Sequence, residues 1–143
     1  FFDDKKRSIC ILSAASILKI LLPERQINTK IYNSLEKMLK EFESKNWIQS
    51  YIYWEQSLIK ELGFEIDLMK INNSNVEFSN LVEIDNKSFK VPKMLFKKNI
   101  EGNLNHEIKE ALAFNKSLLL EYFIVPNKLK MPLSRNILES YYS

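Results

Sequence analysis

Apolar residues recur every three or four positions through most of this chain, and that spacing predicts helices. In the first stretch Ile9, Leu12, Ala15, Ile17, Leu18 and Leu21 form a broad apolar face. Asp3 or Asp4 can cap its start, where a carboxylate suits the positive end of the helix dipole. Pro23 ends it, because proline disfavours helical geometry in the residue before it. A second helix follows a cap at Asn28 or Thr29, with Ile31, Leu35, Met38, Leu39 and Phe42 on one face. Lys37, Lys40, Glu41 and Lys45 fall mostly on the other. A third helix is expected over 47–62 behind Asn46. Tyr51, Trp54 and Leu58 line its apolar face, and Ile52 and Ile59 extend it. Gly63 stands where a helix C-terminus needs a left-handed residue.

Residues 64–92 lose the helical period and hold many asparagines, among them Asn72, Asn73, Asn75 and Asn80. Leu81-Val82-Glu83-Ile84 and Phe89-Lys90-Val91 flank the polar Asp85-Asn86-Lys87-Ser88. This reads as two short strands around a turn. Such a hairpin is marginal alone and must pack on the helices. A fourth helix starts near Asn103 or Asn105, carries Ile108, Ala111, Leu112, Phe114, Leu118, Leu119, Tyr122 and Phe123, and closes at Pro126. A final short helix begins near Pro132, a residue tolerated in a first turn. The expected class is mainly α: one domain over 1–143, a helical bundle of about five helices with a small β-hairpin insert at about 64–92.

Composition adds bounds rather than identity. With 143 residues, 45% of them hydrophobic, the chain can build a core without metal or disulfide staples. Its single cysteine, Cys10, lies in an apolar run and reads as a buried small hydrophobe. Low cysteine suits a reducing compartment. No apolar run reaches the ~20 residues of a membrane span. The chain starts Phe1-Phe2-Asp3-Asp4, without an initiator methionine or a signal-peptide pattern. It is therefore expected to be the C-terminal part of a longer protein. The net charge of +3 permits an anionic partner without demanding one.

Catalytic constellations are absent from the sequence. His106 is the only histidine, in a solvated setting far from Cys10, so neither a Cys-His pair nor a zinc set is suggested. Gly63 and Gly102 are the only glycines, too few for a phosphate-cradling loop. An enzyme is not expected. Three basic clusters stand out: Lys5-Lys6-Arg7, then Lys93, Lys97 and Lys98, then Lys128, Lys130 and Arg135. Each reads as a solvated face or as a surface for phosphate or an acidic peptide. Trp47, Tyr51, Tyr53 and Trp54 read mainly as core. One helix cannot bury all four rings, so one is expected beside a groove.

Several blocks, in order, resemble the C-terminal helical region of RecO, a family of bacterial recombination mediators. Leu21-Leu22-Pro23-Glu24-Arg25 followed by Ile31-Tyr32 is similar to the family's link between two helices. Residues 54–68 resemble its "FE…LL…LG…LDL" signature. Ile84-Asp85-Asn86-Lys87-Ser88-Phe89 falls in its hairpin region. Lys130-Met131-Pro132-Leu133-Ser134-Arg135 resembles the start of its closing helix. The likeness runs over nearly the whole chain.

That resemblance implies an N-terminal OB-fold domain ahead of this region. It implies non-enzymatic DNA repair and homologous recombination: binding single- and double-stranded DNA and loading RecA together with RecR. It also implies capture of the acidic, phenylalanine-ended tail of single-strand binding protein, in the cytoplasm at the bacterial nucleoid and away from membranes. The basic residues expected to meet DNA or an acidic peptide are Arg25, Lys93, Lys97, Lys98, Lys128, Lys130 and Arg135. The expected peptide groove is Tyr51, Tyr53 and Trp54. Many relatives carry a zinc-ligand cysteine where this chain has Ile71, so no zinc or other cofactor is expected. Ile71, Val76, Phe78, Leu81 and Phe89 must then hold the hairpin region by packing. The rival reading is a helical protein-interaction module without direct nucleic-acid contact.

Overall fold

The computed structural model describes residues 2–22, 28–63, 81–84, 87–95 and 104–143. Five α-helices occur among them: α1 (Phe2–Leu21), α2 (Thr29–Lys40), α3 (Trp47–Glu61), α4 (Leu104–Leu119) and α5 (Leu133–Ser140). The fold is mainly helical. α1 packs on α5 and α3, α2 packs on α3, and α4 packs on α3, on α5 and on a 3₁₀ turn at Lys93–Leu95. Two four-residue strands, β1 (Leu81–Ile84) and β2 (Lys87–Lys90), pair antiparallel, with Leu81 opposite Lys90 and Ile84 opposite Lys87. Residues 64–80, most of the expected insert, lie outside the described residues, as do Ile71, Val76 and Phe78.

Local chemistry explains the helix ends, with several corrections. The Asn28 side chain accepts a hydrogen bond from the Ile31 amide at 3.2 Å, so it caps α2 as its residue type predicts. α1 already begins at Phe2, which puts Asp3 and Asp4 inside its first turn rather than at a cap. Asn46 precedes α3 but makes no side-chain cap bond. Asn105 falls inside α4. Gly63 has φ +102° just after α3, in the region that favours glycine. α4 does not run on to Pro126. Its last turn widens into a π turn at Leu120–Ile124, where the Val125 amide reaches back five residues to the Leu120 carbonyl at 2.9 Å. Lys128 then takes φ +58°, a left-handed conformation that costs a side-chain-bearing residue energy.

The core forms where the apolar faces of α1, α3, α4 and α5 meet. Cys10, Ile17, Ile52, Leu58, Leu112, Leu118, Leu119 and Leu138 are fully buried there. Full burial of one such aliphatic side chain contributes about 1.5–3 kcal/mol. The aromatic helix α3 behaves as its spacing predicts. Trp47, Tyr51 and Trp54 are buried, while Tyr53 stands 48% exposed.

Candidate functional site

The expected peptide groove divides. Tyr51 and Trp54 belong to the core, and Tyr51 forms no groove wall. Tyr53 is half-exposed, and its hydroxyl donates to the Met94 carbonyl at 3.0 Å. Between α2 and α3 lies an open cleft of ≈ 200 Å³ bordered by Lys37, Met38, Glu41, Tyr53 and Trp54. Glu41 is engaged by the Ser50 hydroxyl across it. Burial raises the Tyr53 phenol above its ordinary value. A second cleft, of ≈ 240 Å³, is bordered mainly by apolar residues. Ile20, Leu21, Leu22, Leu62, Phe123 and Leu129 line it, with Asn127 as the polar exception.

The basic residues also divide. Lys128 and Lys130 are exposed. Arg25, Lys97 and Lys98 lie outside the described residues, and Lys93 opens the 3₁₀ turn with a side chain that is not described. Arg135 corrects the sequence reading: it is 0% exposed and cannot meet phosphate at the surface. A guanidinium enters a core only when its charge and its N–H groups find partners.

Those partners come from three helices. Arg135 Nε donates to Glu55 Oε2 at 2.6 Å, and Nη2 donates to Glu55 Oε1 at 3.1 Å and to the Leu112 carbonyl at 2.8 Å. Tyr51 also donates to Glu55 Oε2, at 2.7 Å. A phenol has one proton, so the Ser13 hydroxyl must be the donor in its 2.7 Å contact with Tyr51. Asn115 Nδ2 donates to Glu55 Oε1 at 3.1 Å and to the Ile52 carbonyl at 3.2 Å. Gln56 closes the set by donating to Asn115 Oδ1. Glu55 thus accepts four hydrogen bonds, close to the full capacity of a carboxylate. Glu139 adds a second carboxylate, 3.8 Å from Arg135 Nη1 and 3.3 Å from Lys116.

This cluster tunes its neighbours. Burial would pull the guanidinium of Arg135 down, but Glu55, Tyr51 and Glu139 outweigh it and hold Arg135 above its ordinary range. Burial, reinforced by Glu55, drives the Tyr51 phenol well above its ordinary value and raises the Cys10 thiol. Cys10 is therefore held as a neutral thiol, which suits packing and not nucleophilic attack. Ser13, Tyr51, Glu55, Asn115 and Arg135 are all 0% exposed, so the chemistry of this centre is structural. Among the described residues no group of His, Cys, Asp and Glu is arranged to hold a metal. No helix among them is long and apolar enough to cross a membrane.

Sequence reasoning missed the cluster. Its signal was nonetheless present: Ser13, Glu55 and Asn115 each interrupt an otherwise apolar helix face.

Comparison with known proteins gives the context for these surfaces. A family model described as the recombination protein O C-terminal region matches residues 3–122. The DNA repair protein RecO of Ehrlichia chaffeensis is 35% identical over 79 residues, 52% of this chain and 32% of that protein. The DNA repair protein RecO of Wolbachia pipientis subsp. Culex pipiens is 27% identical over 165 positions, covering 100% of this chain and 68% of that protein. That of Caulobacter vibrioides is 33% identical over 70 residues, 48% of this chain and 29% of that protein. The chain thus spans about two thirds of the Wolbachia relative and about a third of the other two. No solved structure matches.

Proposed function

This chain belongs to the RecO family, and on that premise we propose that it is the helical part of a non-enzymatic recombination mediator. The observation that carries this reading is the family match over 3–122, together with relatives named DNA repair protein RecO that align along the whole chain. A role in DNA repair and recombination follows from that membership. The finer steps are proposals: binding single- and double-stranded DNA, engaging RecR, assisting RecA loading, and capturing the tail of single-strand binding protein in the cytoplasm. The small hairpin insert over about 64–92 belongs to the same reading.

Binding needs cations that reach solvent. After the loss of Arg135, the remaining set is Arg25, Lys93, Lys97, Lys98, Lys128 and Lys130. The tail groove reduces to Tyr53 and Trp54 at the α2–α3 cleft, with Lys37 as the nearest cation on its rim. Such a site suits one apolar side chain and one carboxylate.

Two measurements test the reading. Replacing Lys93, Lys97 and Lys98 by alanine should reduce the salt dependence of DNA affinity by about one unit per lost phosphate contact. An unchanged slope removes this cluster from the interface. Titration with the acidic tail peptide should shift backbone amides of α2 and α3 around Met38 and Tyr53. No shift there, alongside intact DNA binding, removes the groove and leaves the DNA reading standing.

A further inference from the structure

The connection between the π turn and α5 carries two exposed apolar side chains that neither the core nor the DNA reading uses. Val125 is 64% exposed and Leu133 is 73% exposed, the two largest values among the described exposed large hydrophobics. Between them stand Lys128 and Lys130, both exposed. Residues 122–138 contain no Asp or Glu. Among the described residues neither lysine has an ion-pair partner.

The same connection is anchored at both ends. The Val125 amide bonds the Leu120 carbonyl, the Lys128 amide bonds the Val125 carbonyl at 3.0 Å, and the Leu129 amide bonds the Ile124 carbonyl at 2.9 Å. The Leu129 side chain helps line the apolar cleft at the ends of α1 and α3. Pro126 and Pro132 restrict the backbone on either side. Three residues past Pro132, in the first turn of α5, Arg135 is locked onto Glu55. Lys128 keeps a left-handed φ without being glycine. Residues held in such conformations, and π turns, cluster at functional sites. A loop fixed in advance loses little conformational freedom when it binds.

We propose that residues 125–133 form a preformed docking loop for an acidic protein surface bearing its own apolar patch. Carboxylates of the partner meet Lys128 and Lys130, and its apolar side chains cover Val125 and Leu133. This narrows the function proposed above, in which Lys128 and Lys130 stand among the cations for DNA or an acidic peptide: beside Val125 and Leu133 the pair takes an acidic protein surface. The two exposed apolar side chains decide the class of partner. A phosphate backbone offers them no apolar surface to bury, whereas the centre of a protein interface does.

The test uses the whole chain, isotopically labelled, and a synthetic helical peptide with a leucine stripe flanked by glutamates. The peptide should shift the Val125 and Leu133 methyls and the Lys128 and Lys130 amides. Both apolar side chains are exposed, so the double variant V125S/L133S should melt as the parent does. It should bind the peptide about tenfold more weakly. The double variant K128A/K130A should bind more weakly and lose most of the salt dependence. Undiminished binding by V125S/L133S overturns the proposal, as do peptide shifts confined to another face. It also falls if the peptide is inert while a single-stranded oligonucleotide or phosphatidylglycerol vesicles move these resonances.

Discussion

Arg135 and Glu55, 80 residues apart in sequence, face each other in the core as a two-pronged ion pair, Nε to Oε2 at 2.6 Å and Nη2 to Oε1 at 3.1 Å. Both side chains are fully buried. Desolvating two charges opposes folding, so the pair itself adds little net stability. Removing one partner is different, because the other charge stays in the core uncompensated. Arg135→Ala and Glu55→Ala should each destabilise the chain by about 3–5 kcal/mol. That is a large share of the ~5–15 kcal/mol that holds a typical domain. The double variant E55L/R135M, which removes both charges, should be markedly more stable than either single variant. Urea denaturation of the four proteins checks this. Equal losses in single and double variants would refute the account.

The same contact ties α5 into the folded unit. Ser13, Tyr51, Glu55, Leu112 and Asn115 all lie within residues 3–122, the stretch matched by the family model. The counter-ion does not. A chain cut after residue 122 loses Arg135, Leu138 and Tyr142 from the core, and it opens the α1 face on which α5 packs. It should show helical circular dichroism without a cooperative melt. Adding back α5 with Arg135 replaced by methionine should not restore cooperativity unless Glu55 is also made apolar.

Tyr51 gives a pH dependence with a defined sign. Its phenol is held well above the ordinary value of 10.0 by burial first and by Glu55 second. A group whose folded-state pKa is raised contributes stability that is complete below its unfolded pKa. That contribution is lost as pH rises through and beyond it. The parent chain should therefore lose stability above about pH 10. Tyr51→Phe should lose less over that interval. At neutral pH the same variant should be weaker by about 1–3 kcal/mol, because the Ser13 hydroxyl and one Glu55 oxygen lose a partner. Denaturation midpoints from pH 8 to 11 for both proteins test the two halves. A parallel pH profile would remove Tyr51 as the cause. Cys10, also raised by burial, begins to matter from about its ordinary value of 9.0 and is common to both proteins.

How much of this was legible depended on range. Periodic apolar residues identified the helices, the Asn28 cap rested on one side chain and one amide, and Gly63 rested on its own φ. All three are local. The burial of Tyr51 and Trp54 and the exposure of Tyr53 follow from helical geometry within α3. Arg135 was misplaced because its partner lies on another helix, 80 residues away. Two nearby lysines, Lys128 and Lys130, made a surface cluster the natural reading. A carboxylate at position 55, one turn from Tyr51 and Leu58 on the same apolar face, was the available warning. The π turn and the left-handed Lys128 had no comparable signal, since neither Leu120 nor Lys128 is a residue type that asks for them.

Lys128 supplies a prediction of opposite sign to the others. At φ +58° a side chain meets steric cost that glycine avoids. Glycine also gains more freedom in the unfolded chain, which offsets part of the benefit. Lys128→Gly should be more stable than Lys128→Ala by about 0.5–1 kcal/mol. The alanine variant isolates the backbone term from the charge. Thermal melts at one salt concentration compare them. A glycine variant no better than alanine would mean that this turn carries no backbone strain.

Gly63 is the converse case. It ends α3 at φ +102°, farther from the left-handed basin of ordinary residues than Lys128 is. A Cβ built there meets nothing within 4 Å, so sterics with the surroundings cannot account for any loss on substitution. The cost must come from the backbone itself. Gly63→Ala should therefore destabilise by about 1–2 kcal/mol, and Gly63→Asn by less, since asparagine tolerates positive φ better than alanine. The Gly63 amide bonds the Lys60 carbonyl at 3.0 Å, so the strained variants should also speed hydrogen exchange at that amide and at Leu62. Urea midpoints and exchange rates together separate this from a packing defect. A packing defect would slow folding of α3 against α4, whereas terminal strain loosens only the last turn. If alanine and asparagine cost the same, φ is not what glycine supplies at this position.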